Sequence, residues 1–275
     1  MIVTVLTENR ACGPVSAAHG LSLHIQAGGQ SILFDFGPDG DLLLRNAEAL
    51  GVDLRTVELA VLSHGHDDHS GGMEAFLQLN DHAPVYCHTL AFRPHYSRRS
   101  AGLRNISPAP GLLERFPQRI RPVEGTIGID ANLTLFSEVT GRELISGSNS
   151  TLFEESDGKL IPDRFLHEQD LLVREEGKLA LFAGCAHRGV VNILRRAEAV
   201  AGRTPDAVFS GFHLTNPGLG TDEPEDLISA VGAALAGFPT RYYSGHCTGE
   251  GPYRLLKTIL GPRLEYLGCG LRFIV

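Results

Sequence analysis

The sequence predicts an α/β fold in which two mixed β-sheets pack face to face and helices cover their outer sides. Each half of the 275-residue chain carries a hairpin pattern followed by strand-then-helix units, and this repetition is typical of layered α/β proteins. Apolar residues make up 43% of the chain, which at this length is enough to bury a substantial core. We expect a single domain over residues 1–275.

The first half supplies a strand, a hairpin, one further strand and two helices. The predicted strands are 1–6, 21–26, 31–36 and 59–62, and the predicted helices are 42–50 and a segment beginning near residue 73. Gly28 and Gly29 separate the two alternating segments of the hairpin and predict a tight turn. Met73, Phe76 and Leu77 recur at helical spacing.

The middle of the chain shows the weakest pattern. Residues 92–125 hold several prolines and arginines with little periodicity, so we expect an irregular surface segment, either a lid or substrate-binding loop or a disordered stretch. A loop is also expected over 154–163. The second half then resumes with a hairpin over 171–182 and three strand–helix units that end near residue 260.

A dense cluster of metal-ligating residues follows the strand at 59–62. The run from residue 63 to residue 72 reads SHGHDDHSGG. His64 and His66 are two positions apart, so both rings can point the same way, while Asp68 and His69 lie where a helix begins. Imidazole and carboxylate together suit zinc or iron. The alternative is a helix N-cap with incidental histidines, but the density of ligands favours a metal site.

Three strand ends in the second half also carry a histidine beside small residues. These are His187, His213 and His246. Carboxyl ends of neighbouring strands are where α/β proteins place their ligand sites. We therefore expect these histidines to share one site with the cluster at 63–72.

The run at 63–72 resembles the H-x-H-x-D-H signature of the metallo-β-lactamase superfamily. The resemblance covers nearly the whole chain and implies an αββα four-layer sandwich. Other stretches are similar to a narrower branch of metal-dependent hydrolases, which includes the archaeal dihydropterin ribofuranosyl-aminobenzene phosphate synthases. These stretches are 19–22, 33–37, 184–192, 211–214 and 246–249.

Matched by position, the resemblance implies two metal ions, expected to be zinc, with iron or manganese as alternatives. His64 and His66 would hold one ion. Asp68 and His69 would hold the other, together with His246.

The sequence departs from the superfamily pattern where most relatives place a bridging aspartate after a strand-end glycine, because Gly184 is followed by Cys185. Either the Cys185 thiolate replaces that carboxylate, or Cys185 is a buried small side chain and His187 reaches the metals. No clear third histidine separates His69 from the second half, since His88 and His167 lack glycine-rich surroundings. His187 is therefore expected to complete the first metal site.

Two more residues have roles that the sequence leaves open. Asp35 matches the early aspartate that steadies the metal loop by hydrogen bonding, although it could be a strand-end turn residue. His213 is a candidate for substrate binding or proton transfer, or else a core histidine.

The expected chemistry is attack by a metal-activated water on an ester, phosphoester or related small molecule. Asp68 would orient the water, and His213 would protonate the leaving group. The arginines of the irregular segment could grip an anionic substrate, although solvated loop arginines are the commoner case. They are Arg93, Arg98, Arg99 and Arg104.

Composition restricts the partners. A formal net charge of −8 argues against a general nucleic-acid surface, and no stretch approaches the ~20 apolar residues of a membrane helix. The N-terminal residues lack the pattern of a signal peptide, and five scattered cysteines do not form a disulfide framework. We expect a cytoplasmic protein acting on a small, anionic molecule.

Three other functions are open at this point. The chain could be a transferase similar to the pterin-pathway synthases that releases pyrophosphate. It could be a metal-binding sensor without turnover. A di-iron redox enzyme is the third, and Cys185 argues against it.

Overall fold

The fold was determined from a computed structural model that describes residues 1–275. The strands are β1 (Ile2–Thr7), β2 (Ser22–Ala27), β3 (Gln30–Phe34), β4 (Leu59–Val61), β5 (Val85–His88), β6 (His95–Arg99), β7 (Gly102–Asn105), β8 (Ile120–Val123), β9 (Ile127–Gly128), β10 (Leu133–Phe136), β11 (Leu152–Ser156), β12 (Lys159–Pro162), β13 (Asp170–Glu175), β14 (Lys178–Phe182), β15 (Ala207–Ser210), β16 (Thr215–Asn216), β17 (Thr221–Asp222), β18 (Arg241–Ser244), β19 (Leu264–Tyr266) and β20 (Arg272–Ile274).

The helices are α1 (Gly40–Ala49), α2 (Asp67–Ser70), α3 (Met73–Leu79), α4 (Leu112–Arg115), α5 (Val190–Ala201), α6 (Glu225–Ala236) and α7 (Glu250–Leu260). None of them combines the length and the apolar character that crossing a bilayer requires.

Two seven-stranded sheets form the centre of the molecule. Their strand orders are β20-β1-β2-β3-β4-β5-β8 and β19-β18-β15-β14-β13-β10-β9. Their inner faces share one apolar core, to which Ile25 and Phe34 contribute from the first sheet and Phe182 and Phe209 from the second. Helices α1 and α3 pack on the outer face of the first sheet, and α5, α6 and α7 pack on that of the second. The αββα four-layer sandwich is confirmed.

Parallel strands bring the predicted ligands to one edge. β3, β4 and β5 run parallel in the first sheet, and β14, β15 and β18 run parallel in the second. The loops at their carboxyl ends meet across the sandwich, where His69 approaches both Cys185 and His246. A site therefore forms where the two sheets end together.

Both predicted hairpins are confirmed. Gly28 and Gly29 have φ of 58° and 79°, and Glu176 and Gly177 have φ of 47° and 79°. Positive φ at both central residues is the turn whose twist matches that of paired strands.

The expectation of irregular structure over 92–125 is wrong for much of that segment. It contains the hairpin β6–β7 and the helix α4, and β8 adds to the first sheet parallel to β5. Strand β6 buries His95 and Ser97 while exposing Arg98, so its alternation exists, but in polar residues that a hydrophobic pattern does not detect.

The loop expected over 154–163 is also wrong, because β11 and β12 form a hairpin there. Its turn residues, Asp157 and Gly158, have φ of 52° and 70°, the Asp-Gly signal for a two-residue hairpin turn. Strand β11 pairs with β6, so both unpredicted hairpins form one four-stranded sheet, β12-β11-β6-β7. The chain also continues beyond α7 into β19 and β20, which extend the two main sheets.

Phe209 links the core to the site, since its strand leads directly into the loop that carries His213. Its ring is fully buried and stacks on Phe182 and Tyr243, with ring centroids 5.0 and 4.3 Å apart. We predict that Phe209→Ala lowers the free energy of unfolding by about 3–5 kcal/mol, measured by urea denaturation. The control is Ile274→Ala, since that side chain is 80% exposed. An equal effect of the two variants would contradict the prediction.

Candidate metal centre

Asp35 connects the first two strand-end loops through three hydrogen bonds. Its Oδ1 accepts from the Ser63 backbone N–H at 2.7 Å, and its Oδ2 accepts from the Ser63 hydroxyl and from His69 Nδ1, each at 2.7 Å. The Ser63 hydroxyl oxygen lies 2.8 Å from His64 Nδ1 and accepts a hydrogen bond from it. One buried carboxylate thereby orients both His64 and His69, which is the loop-steadying position that the sequence suggested for Asp35.

Four predicted metal ligands share one arrangement, in which Nδ1 faces an oxygen acceptor. His64 and His69 use Ser63 and Asp35 as described. His187 Nδ1 lies 3.1 Å from Asn149 Oδ1, and His246 Nδ1 lies 3.0 Å from Asn9 Oδ1. A ring that donates from Nδ1 keeps a lone pair on Nε2 when it is neutral, and this pairing is the usual support of a metal-binding histidine.

Two of these four Nε2 atoms have no hydrogen-bond partner, and the other two lie close to each other and to Cys185. His64 Nε2 and His187 Nε2 are buried without a hydrogen-bond partner, as are both ring nitrogens of His213. His69 Nε2 and His246 Nε2 face one another at 3.2 Å. Buried polar atoms left in this state call for a ligand. A cation that several of these lone pairs coordinate together would fit this set of donors.

Burial lowers the pKa of His64, His187 and His246, which keeps these imidazoles neutral and able to donate a lone pair. Burial also lowers the pKa of His69, but Asp35 and Asp68 outweigh it and raise the pKa to about 9. A cation at His69 must therefore displace a proton.

The predicted ligands fall into two adjoining groups that share Cys185. In one, donor atoms of His64, Cys185 and His187 lie within 4.8 Å of one another, and in the other those of His69, Cys185 and His246 do. The structure places Cys185 and His187 in one donor group. Asp68 lies beside the second group, with Oδ2 3.3 Å from His246 Nε2 and 3.3 Å from His19 Nε2.

His66 lies in a cluster that the sequence did not predict. Its Nε2 is 3.9 Å from Asp163 Oδ2, and that oxygen also accepts from His95 Nδ1 at 3.1 Å and His167 Nε2 at 3.2 Å. Burial raises the pKa of the Asp163 carboxyl, but these histidines outweigh it and lower that pKa. His167 therefore adjoins the centre through Asp163 and His66.

Sequence reasoning missed the residues that hold the ligands from behind. Asn9, Asn149, Asp163 and His95 come from loops and polar strands without a motif, and each acts through a neighbour that is distant in sequence. Only His167 and Cys247 gave a signal, as a histidine and as a cysteine next to a predicted ligand.

A cavity of about 470 Å³ opens over the centre. Its walls include Asp68, Cys185, His187 and His213, so these candidates line one space. Across the cavity lie hydroxyl and guanidinium groups from the four-stranded sheet and from the turn before it. They belong to Ser97, Arg99, Arg104, Ser148 and Thr151.

The four candidate arginines differ in whether they line the cavity. Arg99 lines the cavity, and its Nε is buried without a hydrogen-bond partner. Arg104 also lines it but pairs with Asp67 at 2.5 Å. The position of Arg98 does not support the substrate-binding prediction, because its guanidinium stacks 4.5 Å from the Phe153 ring centroid and is absent from the cavity wall. Arg93 is exposed and is likewise absent from the wall.

Fold and site together define a metal-binding protein of αββα architecture. The chain belongs to the metallo-β-lactamase superfamily, whose family model matches residues 18–241.

Individual relatives support this assignment. The chain is 26% identical to a 7,8-dihydropterin-6-methyl-4-(beta-D-ribofuranosyl)-aminobenzene-5'-phosphate synthase of Methanocaldococcus jannaschii, over 86% of this chain and 83% of that protein. It is also similar to the crystal structure of Tm1679, described as a metal-dependent hydrolase of the beta-lactamase superfamily, with a TM-score of 0.82, 26% identity and 100% and 99% of the two chains covered. Zn²⁺-bound PqqB of Methylobacterium extorquens shares the fold, with a TM-score of 0.55, 15% identity and full coverage of both chains.

We predict that Asp35→Asn lowers divalent-metal affinity about 10–100-fold while the protein stays folded. An amide whose oxygen accepts from the Ser63 N–H turns its NH₂ toward His69 Nδ1, so His69 must move its proton to Nε2 and lose the lone pair that the cation needs. Affinity is measured by competition with a chromophoric chelator, with the exposed Asp53→Asn as control. Equal affinity of the Asp35 variant and the wild type would contradict the prediction.

Proposed function

We propose that the protein is a metal-dependent hydrolase that cleaves an ester or phosphoester in a small anionic molecule, using two zinc ions. The observation that carries this proposal is the set of four histidines whose Nδ1 atoms are each tied to an oxygen acceptor while Nε2 faces the centre. A merely structural set of histidines would satisfy both ring nitrogens.

The residues divide between two ions. His64, His66 and His187 would hold the first, and Asp68, His69 and His246 the second, with the Cys185 sulfur between the groups. Divalent zinc would supply Lewis acidity, polarising a substrate oxygen and lowering the pKa of water toward neutrality. Iron and manganese are alternatives that metal analysis distinguishes.

Side chains at the cavity would do the remaining work. Asp68 Oδ2 is positioned beside the second group of ligands and can orient the attacking water by accepting its hydrogen bond. His213 lines the same cavity and has no competing partner, so it can donate a proton to the leaving oxygen. Arg99 can pair with an anionic part of the substrate in the fork geometry that guanidinium offers to phosphate or carboxylate.

A second candidate is a transferase that releases pyrophosphate from a pterin substrate. The observation favouring it is the 26% identity to the archaeal synthase over 86% of the chain. The same cavity and the same arginine would accept a diphosphate, so the two candidates differ in the acceptor and not in the metal ligands.

Metal content and turnover provide the first test. Protein purified without chelators should hold about two zinc ions per chain. His64→Ala should lose at least one of them and lower kcat/KM by at least about 100-fold, which is the upper end of the loss from an outer-shell partner alone. The matched control is His82→Ala, because His82 is solvent-exposed and belongs to none of the donor groups.

The assay uses phosphomonoesters, phosphodiesters, lactones and thioesters, with pyrophosphate release from a pterin diphosphate measured in parallel. Turnover only in the pterin assay would replace the hydrolase with the transferase. Two bound metals with no turnover on any substrate would leave a metal-binding sensor, and less than one metal per chain would overturn the dinuclear centre.

The arginines allow a test of substrate charge. We predict that Arg99→Ala raises KM for a phosphorylated substrate about 10–100-fold, because a charge-assisted hydrogen bond contributes about 1.5–3 kcal/mol. Arg98→Ala is the matched control, since its neighbouring guanidinium stacks on Phe153 away from the cavity. Equal KM values for both variants would show that Arg99 does not bind the substrate.

A further inference from the structure

A third group of donors adjoins the two described above. The sulfurs of Cys185 and Cys247 and a ring nitrogen of His213 lie within 4.8 Å of one another. The three residues follow β14, β18 and β15, and each is at least nine-tenths buried, with exposures of 3%, 2% and 6%. Three adjacent strands of the second sheet therefore deliver one donor each to the same point.

These donors lack the partners that buried polar groups usually have. Neither ring nitrogen of His213 has a hydrogen-bond partner. The Cys247 thiol has a single long contact, 3.6 Å to the Cys185 carbonyl oxygen. The Cys185 sulfur lies 3.2 Å from His69 Nε2, inside the proposed centre. All three line the cavity wall.

The backbone at and next to these donors adopts a conformation that is unfavourable for non-glycine residues. Three residues at or next to the donors have positive φ: His213 itself (48°), Ala186, which follows Cys185 (55°), and His246, which precedes Cys247 (50°). Non-glycine residues seldom adopt this left-handed conformation and persist in it where their surroundings impose it. Such strain concentrates at functional sites, and here it occurs at one of the three donors and directly beside the other two.

We propose that Cys185, Cys247 and His213 form a two-sulfur, one-nitrogen ligand set for one cation of the centre, in addition to the histidine and aspartate ligands named above; Cys185 is common to this set and to both earlier groups. The set makes that position selective for zinc or another thiophilic cation over magnesium and manganese, which prefer oxygen. Each thiol loses its proton to solvent when its sulfur binds the cation. The nitrogen of His213 that does not bind the cation would then keep its proton and donate a hydrogen bond to the substrate.

This inference rests on the proposed metal centre, and cobalt separates the two. Metal-free, reduced protein is titrated with Co²⁺, and the sulfur-to-cobalt charge-transfer band in the near ultraviolet is followed. This band reports thiolate ligation whether or not the enzyme turns over. We expect the wild type to show it, Cys247→Ser and Cys185→Ser each to lose about half of its intensity, and the double variant to lose all of it.

Cys87→Ser is the matched control, because Cys87 is equally buried but lies in β5 outside every donor group; its band should equal that of the wild type. The unfolding transitions of Cys247→Ala and Cys247→Ser are measured as well, to establish that the Cys247 variants are folded. A wild-type band in a folded Cys247 variant would overturn the inference and leave Cys247 as a packing residue against Gly211. Cobalt bound without any such band would also overturn it while preserving the metal centre, and absence of cobalt binding would overturn both.

Discussion

The hydrogen bonds of Asp35 are the interaction on which the site depends. A fully buried carboxylate is expensive unless its oxygens are saturated by donors, and Asp35 saturates them with the Ser63 N–H, the Ser63 hydroxyl and His69 Nδ1. All three donors belong to the segment that follows the adjacent strand, β4, since Ser63 lies in the loop and His69 in the short helix α2. The ends of β3 and β4 are thereby locked together, and the same bonds decide which nitrogen of His64 and His69 faces the centre.

The remaining histidines repeat this solution with neutral acceptors drawn from distant parts of the chain. Asn149 holds His187, and Asn9 holds His246 from the loop after the first strand. Glu8 secures the same turn by accepting the His246 backbone N–H at 2.6 Å. Ligand geometry is therefore coupled to the packing of both sheets. A cation bound at the centre should stabilise the junction between the two halves of the sandwich as well as the loops that touch it.

The sequence predicts the sheets and the candidate ligands better than it predicts the residues that hydrogen-bond to those ligands. Regular apolar alternation identifies the strands that bury a face, and His64 to His69 stand so close together that few other interpretations remain. Asn9 and Asn149 carry no such information, because an asparagine in a loop becomes a histidine anchor only through a contact made by the folded chain. The sequence does not predict strand β6 for a related reason, since the buried face of this strand is made of His95 and Ser97 and not of apolar residues.

That unpredicted strand contributes both to the cavity wall and to the cluster beside His66. Its exposed end carries Arg99 toward the cavity, while its first residue, His95, donates to the Asp163 carboxylate behind His66. We do not expect the cluster around Asp163 to bind another metal ion. His167 Nδ1 accepts the Gly65 N–H at 2.9 Å, so its proton must lie on Nε2, where it is donated to Asp163 and leaves no lone pair for a cation. Asp163 is instead a hydrogen-bonded anion within 3.9 Å of His66, and it connects that histidine to the sheet that forms the opposite side of the cavity.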